Sequence, residues 1–378
     1  MSETDDAFDW ARDLLVDLIE IPSVSGDEHA IAERIEGVAR GLGLPVRRQE
    51  VPGYGPNLLI GAENASLMLT AHMDTVPAAW EWDGRALVDG DLVQGLGALD
   101  DKGSVVACLL ALRLVADAGA DLAELSVSVG LTVDEEEDGN GSIALATLAR
   151  PRHVIALEGT ELEICVAEAG ILQCVIVVPG RSHHGSRPEL GDNAVHKGFE
   201  LVGELLALEV LNRKHPEMPE GMDNVAFVQE FTGGSDLYVV PDSARLLVVV
   251  RLGAIGEAAE AQRALEQLCA RWGATFELIE AVDPVLTSRE APVVTLLGDA
   301  VRRVTSREPV HAAMPSWTDA HSFAEAGSSV VVFGPGSLRD AHRPDEHIDV
   351  RQIVTSARIL ADVLLRSREL QGQEVKAS

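Results

Sequence analysis

Two periodicities divide the chain. Over residues 6–20 and 27–43 the apolar positions recur every three or four residues, with Phe8, Leu14, Leu15, Leu18 and Ile19 on one side of the first stretch. That spacing predicts two amphipathic helices. The PSVSGDE segment between them reads as a loop, with Ser25 or Asp27 placed to cap the second helix. Short, near-continuous apolar runs follow at NLLIG, SLMLTAHM, LSVSVGLTV and HVIAL, interleaved with helical patterns over 103–118 and 141–149. Strands buried on both faces lose the apolar–polar alternation, so these runs, alternating with helices, predict a mostly parallel sheet with crossover helices.

After Gly170 the pattern changes. QCVIVVPG, NVAFVQEF, ARLLVVVRL and TFELIEAV read as strands, with helices at about 191–210 and 257–271. From about residue 284 the first pattern returns, with a helix over 292–305, a strand at SSVVVFG and a last helix over 351–366. The expectation is an α/β domain in two pieces, 1–170 and 284–378, interrupted by an inserted α+β domain over 171–283.

Composition narrows what such a protein binds. Lys plus Arg number 30 against 61 Asp plus Glu, a net charge of −31, so nucleic acid and anionic membranes are poor partners. No apolar run approaches the ~20 residues that span a bilayer, and MSETDDAFDWAR lacks the pattern of a signal peptide. Cys108, Cys165, Cys174 and Cys269 are scattered, with no CxxC pair, as free thiols of a reducing compartment would be. A soluble, cytoplasmic protein is expected.

Chemistry gathers at the ends of the apolar runs. His72 and Asp74 close the second run. Asp100 and Asp101 follow the small residues Gly95, Gly97 and Ala98. Glu135 and Glu136 sit in the acid run 134–138, Glu158 closes HVIAL, and His342 lies in a Gly-rich loop after SSVVVFG. Open α/β sheets bind ligands at strand carboxyl ends. Taken singly, the segments read more readily as a satisfied histidine, a simple turn or a solvated acid run. Together they supply two imidazoles and several carboxylates, a set suited to Zn²⁺ or a similar ion. Asp74 is spaced to orient His72, and the two adjacent glutamates could divide metal binding and proton transfer.

In their order and spacing, AHMDTVP, GLGALDDKG, TVDEEEDGNGS, ALEGT, GRSHHGSRPELGDNAV, GGSDLYVVPD, SWTDAHSF and FGPG…AH…DE resemble the di-zinc peptidase and deacylase family of acetylornithine deacetylase, succinyl-diaminopimelate desuccinylase and carboxypeptidase G. The resemblance implies a catalytic domain of mixed, mostly parallel α/β fold, flanked by helices, with the insert as an α+β lid and dimerisation domain. It implies two Zn²⁺ per subunit, with Co²⁺ able to substitute. His72, Asp100 and Glu158 match one ligand set and Asp100, Glu136 and His342 the other. Asp74 matches the acid that steadies the first histidine, and Glu135 the general base. His184 matches a histidine that reaches the partner subunit's site. Arg251 matches a substrate-carboxylate anchor, and Gly334 to Gly336 the loop beside the scissile bond.

The implied activity is amide hydrolysis of an N-acyl amino acid by a homodimer. A carboxypeptidase or dipeptidase, or a deacylase of a carrier-linked acetyl-lysine or acetyl-ornithine, shares that chemistry, and a catalytically silent assembly protein is the contrasting class. Three positions depart from the family pattern: Leu96 stands where an Arg is common, Tyr238 where an Asn is common, and Val250 where an Asp is common. All three bear on the substrate rather than on the metal ligands.

Overall fold

The computed structural model describes residues 3–78, 81–234 and 237–370. They form two compact units, one of residues 1–166, 287–312 and 318–378, the other of residues 167–286 and 313–317. The apolar pattern placed the junctions after residues 170 and 283, whereas the first falls inside one continuous strand, Ile164–Glu168.

The first unit is built on a sheet of strands β1 (Val46–Glu50), β2 (Pro56–Gly61), β3 (Leu67–His72), β4 (Val127–Thr132), β5 (His153–Ala156), β6 (Ile164–Glu168) and, after the insert, β11 (Ser329–Val332). Their spatial order is β1-β2-β4-β3-β5-β11-β6. The central pairs β4–β3, β3–β5 and β5–β11 are parallel, and the flanking pairs β1–β2, β2–β4 and β11–β6 are antiparallel. Every residue of β3, β4 and β5 is buried, which is why these strands appear in the sequence as unbroken apolar runs. The helix Lys102–Asp117 is apolar almost all round and lies against the helices Val350–Leu365 and Glu3–Ile19.

Parallel register decides where the chemistry falls. His72 pairs with Thr132 and Thr70 with Ala156, so β3, β4 and β5 end at a common edge. The next residues are Asp74, the 134–136 turn and Glu158. Buried Asn57 braces that turn: its Oδ1 accepts from the Val133 N–H (3.1 Å) and its Nδ2 donates to the Gly141 carbonyl (2.8 Å). Gly141 has no room for a side chain, because a Cβ there would lie 2.1 Å from the Val133 oxygen.

The expected cap of the second helix is corrected. The helix spans His29–Gly41, its N-cap is Glu28, and neither Ser25 nor Asp27 caps it. Ser25 instead donates to Asp74, and the Glu28 carboxylate accepts from the Gly26 and Gly55 N–H groups at 2.8 Å each. The predicted 191–210 helix is also shorter. Asn193 caps a helix over Ala194–Leu205, and a separate 3-10 turn covers Glu209–Asn212.

The second unit carries an antiparallel sheet of β7 (Gly170–Pro179), β8 (Val225–Gly233), β9 (Ser243–Leu252) and β10 (Thr275–Val282), in the order β8-β9-β7-β10. The helices Ala194–Leu205 and Glu257–Trp272 pack on it around Ile176, Leu201, Leu246, Val248 and Leu265. Strand β8 is at the edge and mostly exposed. Among the described residues no helix is long and apolar enough to cross a membrane.

Two glycines separate packing from propensity. Gly141→Ala overpacks the support of the 134–136 turn and is expected to cost about 1–3 kcal/mol. Gly203→Ala, on an exposed helical position with open space around it, is expected to stabilise by about 0.5–1 kcal/mol. Urea unfolding of both variants measures the two signs.

Candidate metal centre

His72 ends β3 fully buried, and its two ring nitrogens face different neighbours. Nδ1 is 3.1 Å from the Asp74 carbonyl oxygen and 3.4 Å from Asp74 Oδ1. A proton on Nδ1 therefore has an acceptor, which leaves the Nε2 lone pair for the opposite side. There Nε2 lies 3.0 Å from Asp100 Oδ1 and 3.9 Å from both Glu135 Oε2 and Glu158 Oε1.

Asp74 is the knot behind this edge. Its Oδ2 accepts from the Ser25 hydroxyl (2.7 Å) and the Glu136 N–H (3.1 Å), and its Oδ1 from the Glu135 N–H (3.2 Å). Burial alone would raise its pKa, but the hydrogen bonds, led by that of His72, hold it below the usual carboxylate value. One ionised side chain thus fixes the His72 ring, the Glu135–Glu136 turn and the PSVSG loop. Within the acid run, Glu137 and Asp138 are exposed, and Asp134 is spent on the Asn140 N–H (3.0 Å) and side-chain amide (2.6 Å).

Asp100 lies between two imidazoles. Its Oδ1 faces His72, its Oδ2 is 3.2 Å from His342 Nε2, and His342 Nε2 is also 3.0 Å from Glu136 Oε1. Burial would raise the Asp100 pKa, yet the hydrogen bonds with His342 and His72 hold it well down. Hydrogen bonds to Asp100 and Glu136 push His342 up to about 10. Burial drives Glu135 and Glu158 well above the ordinary carboxyl value, with neighbouring acids adding to the effect.

These acids attract positive charge that the chain itself scarcely supplies. One ligand atom each from His72, Glu135 and Glu158 lies within 4.8 Å of the others, and the same holds for His72, Asp100 and Glu136. Two divalent cations would balance the four carboxylates Asp100, Glu135, Glu136 and Glu158. Nitrogen and oxygen donors without thiolate suit zinc, cobalt or manganese. The donor set fits a pair of such ions.

The glycines of the loop after β11 pack against this edge. A Cβ on Gly334 would lie 2.4 Å from the Glu158 carbonyl oxygen. Gly336, at φ +81°, would place one 2.4 Å from Leu99 Cδ1. Two expected functional residues belong instead to the second unit. His184 is exposed, with Nδ1 2.8 Å from Ser186 Oγ. Arg251, half-buried in β9, donates from Nε to the Asp223 carbonyl (3.3 Å), and burial lowers its pKa. Of the departing positions, Leu96 and Val250 are buried, and Tyr238 is 78% exposed.

Three participants are not among the site residues expected from the sequence. Ser25 was read as a cap. Asp319, inside SWTDAHSF, is buried, accepts from the Thr132 hydroxyl (2.5 Å) and is pushed up to about 6 by burial. Glu346 accepts from the N–H groups of Leu99 and Asp100. The only signal for the last two was an acid inside a segment already singled out for its neighbours.

Residues 68–366, which include every strand-end residue of the centre, match the family described as peptidase family M20/M25/M40. The chain belongs to this family. The acetylornithine deacetylase of Photorhabdus laumondii subsp. laumondii is 26% identical, over 93% of this chain and 96% of its own length. A succinyl-diaminopimelate desuccinylase of Methylobacterium radiotolerans is 30% identical, over 94% and 96% respectively. Among solved structures, a tripeptidase of Staphylococcus aureus has a similar fold, with a TM-score of 0.79 at 20% identity, covering 96% of this chain and 99% of its own.

The knot at Asp74 makes a quantitative expectation. Asp74→Asn removes the charge and leaves a single acceptor oxygen, and should weaken metal affinity by about 10–100-fold in a folded protein. Calorimetric titration of metal into the metal-free variant checks it, and unchanged affinity would refute the role.

Proposed function

We propose that this member of the M20 family is a metal-dependent hydrolase that cleaves the amide bond of an N-acyl amino acid, as the names of its deacetylase and desuccinylase relatives suggest. The observation that carries the reading is Asp100 set between His72 and His342, with Glu135 beside His72. One ion is assigned to His72, Asp100 and Glu158, the other to Asp100, Glu136 and His342, with zinc the proposed metal and cobalt able to replace it. When bound, two such ions would supply Lewis acidity and would lower the pKa of water from ~15.7 toward neutrality.

The chain's own groups do the rest. Glu135 takes a proton from the attacking water as the new C–O bond forms, and returns it to the amine nitrogen as the C–N bond breaks. Burial, which raises its pKa, suits a carboxyl that must both accept and release that proton. Asp74 keeps the His72 ring and the Glu135 turn in place. His184 is assigned to the developing oxyanion, from the partner subunit of a homodimer. Arg251 is assigned to the carboxylate of the amino acid, a pairing its fixed charge suits. The Gly334–Gly336 loop is assigned to the chain of the substrate beside the scissile bond.

Exposed Phe199, Phe227, Leu237 and Tyr238 on the second unit, and its exposed edge strand β8, support the homodimer. The net charge of −31 and the four scattered, buried cysteines support a cytoplasmic protein acting on small molecules rather than on nucleic acid or membranes.

Glu135→Gln should retain two ions per chain and lose about 10²–10⁴-fold in turnover. Metal analysis and assays on N-acetyl and N-succinyl amino acids and on dipeptides measure both. Fewer than one tightly bound ion in the wild type, with no amidase activity on added Zn²⁺ or Co²⁺, would sink the reading. Mixing inactive His184→Ala and Glu135→Gln subunits should restore activity through hybrid sites. Verified subunit exchange without rescue would count against His184 acting across the dimer.

A further inference from the structure

We propose that Glu346 is a positioning residue that holds Asp100 and His342 in register for the ion they share with Glu136, an inference that rests on the two-ion reading above. Glu346 lies four residues beyond His342 and is 1% exposed. Its Oε1 accepts the N–H groups of Leu99 (3.0 Å) and Asp100 (3.3 Å), so the carboxylate grips the backbone of the turn that presents Asp100. The main chain repeats the tie. The Gly95 N–H donates to the Glu346 carbonyl (3.0 Å), and the Glu346 N–H donates to the Arg343 carbonyl (3.1 Å).

The chain then enters the short strand His347–Asp349, which pairs His347 with Gln94 and Ile348 with Val93. One residue therefore joins two segments almost 250 positions apart in sequence, and each of them carries a ligand of the same ion. The two ligand segments need this help. His342 is half-exposed, at φ +56°, in a loop without regular structure of its own. Asp100 sits in the turn that leads into the helix Lys102–Asp117, outside any strand or helix.

The second oxygen of Glu346, Oε2, is buried as well. Buried Lys102, the first residue of the helix that follows, donates from Nζ to the Ile21 carbonyl (2.9 Å).

The test is a Zn²⁺ titration of metal-free protein, with Co²⁺ absorption spectra alongside. The wild type should take up two ions in two phases. Glu346→Ala and the shortened Glu346→Asp should each weaken the second phase by about 10–100-fold and shift the Co²⁺ band of that ion, with a clearly smaller loss in the first phase, whose ligands include Asp100 but not His342. Glu346→Gln keeps an oxygen on the same N–H groups and should recover most of the second phase. Glu346→Asp carries the test alone if Glu346→Ala does not fold. Two unaltered phases in the variants, or equal loss of both, would overturn the positioning role while leaving the two-ion reading intact. Fewer than two ions in the wild type would overturn the two-ion reading and this proposal with it.

Discussion

Mutual repulsion of buried carboxylates is the constraint around which this protein is arranged. Unit charges about 4 Å apart interact by roughly 4 kcal/mol at an effective dielectric constant of about 20. A typical hydrogen bond contributes only about 1 kcal/mol, so hydrogen bonds alone do not settle a cluster such as Asp100, Glu135, Glu136 and Glu158. Positive charge has to be drawn in, and the two imidazoles are too few. The acids are kept close by a scaffold that leaves them no retreat: β3, β4 and β5 are buried along their whole length, and their parallel register brings their ends to one edge.

The supporting groups follow from the same constraint. Asp74 stays ionised in a buried position because it accepts from His72, Ser25 and two backbone N–H groups. It can therefore align ligands without competing for the ions. Gly141 and Gly334 let backbone come close behind the turn after β4 and behind Glu158, where any side chain would force the strand ends apart.

Much of this was legible in the sequence, for physical reasons. A strand buried on both faces has no polar alternation, so LMLTAH and VSVGLT stand out, and the first polar residues after them mark the sheet edge. Within the acid run, Glu135 and Glu136 are set apart because Asp74 accepts from their N–H groups, whereas Glu137 and Asp138 are exposed. Other parts act at long range or through the backbone and leave no local trace. The Ser25 hydroxyl reaches Asp74, 49 positions away, so reading it as a helix cap was locally sound and wrong. Glu346 works on N–H groups, which every residue but proline possesses, so nothing in the 95–101 segment announces its partner. The helix after Asn193 ended at Leu205 because the apolar positions beyond it serve a separate turn.

Strand β11 gives the chain an order of assembly. It comes from the segment after the insert, yet it lies between β5 and β6, which precede the insert. During synthesis His72, Asp100, Glu136 and Glu158 emerge before the second unit is made, while β5 still has an open edge and His342 does not yet exist. Pairings this distant in sequence are slow to close, because loop entropy must be overcome before any contact rewards it. The early acids thus meet one another before their last histidine arrives. Completion of the sheet and arrival of His342 beside Asp100 and Glu136 are one late event, and a chain that ends before Ser329 has neither.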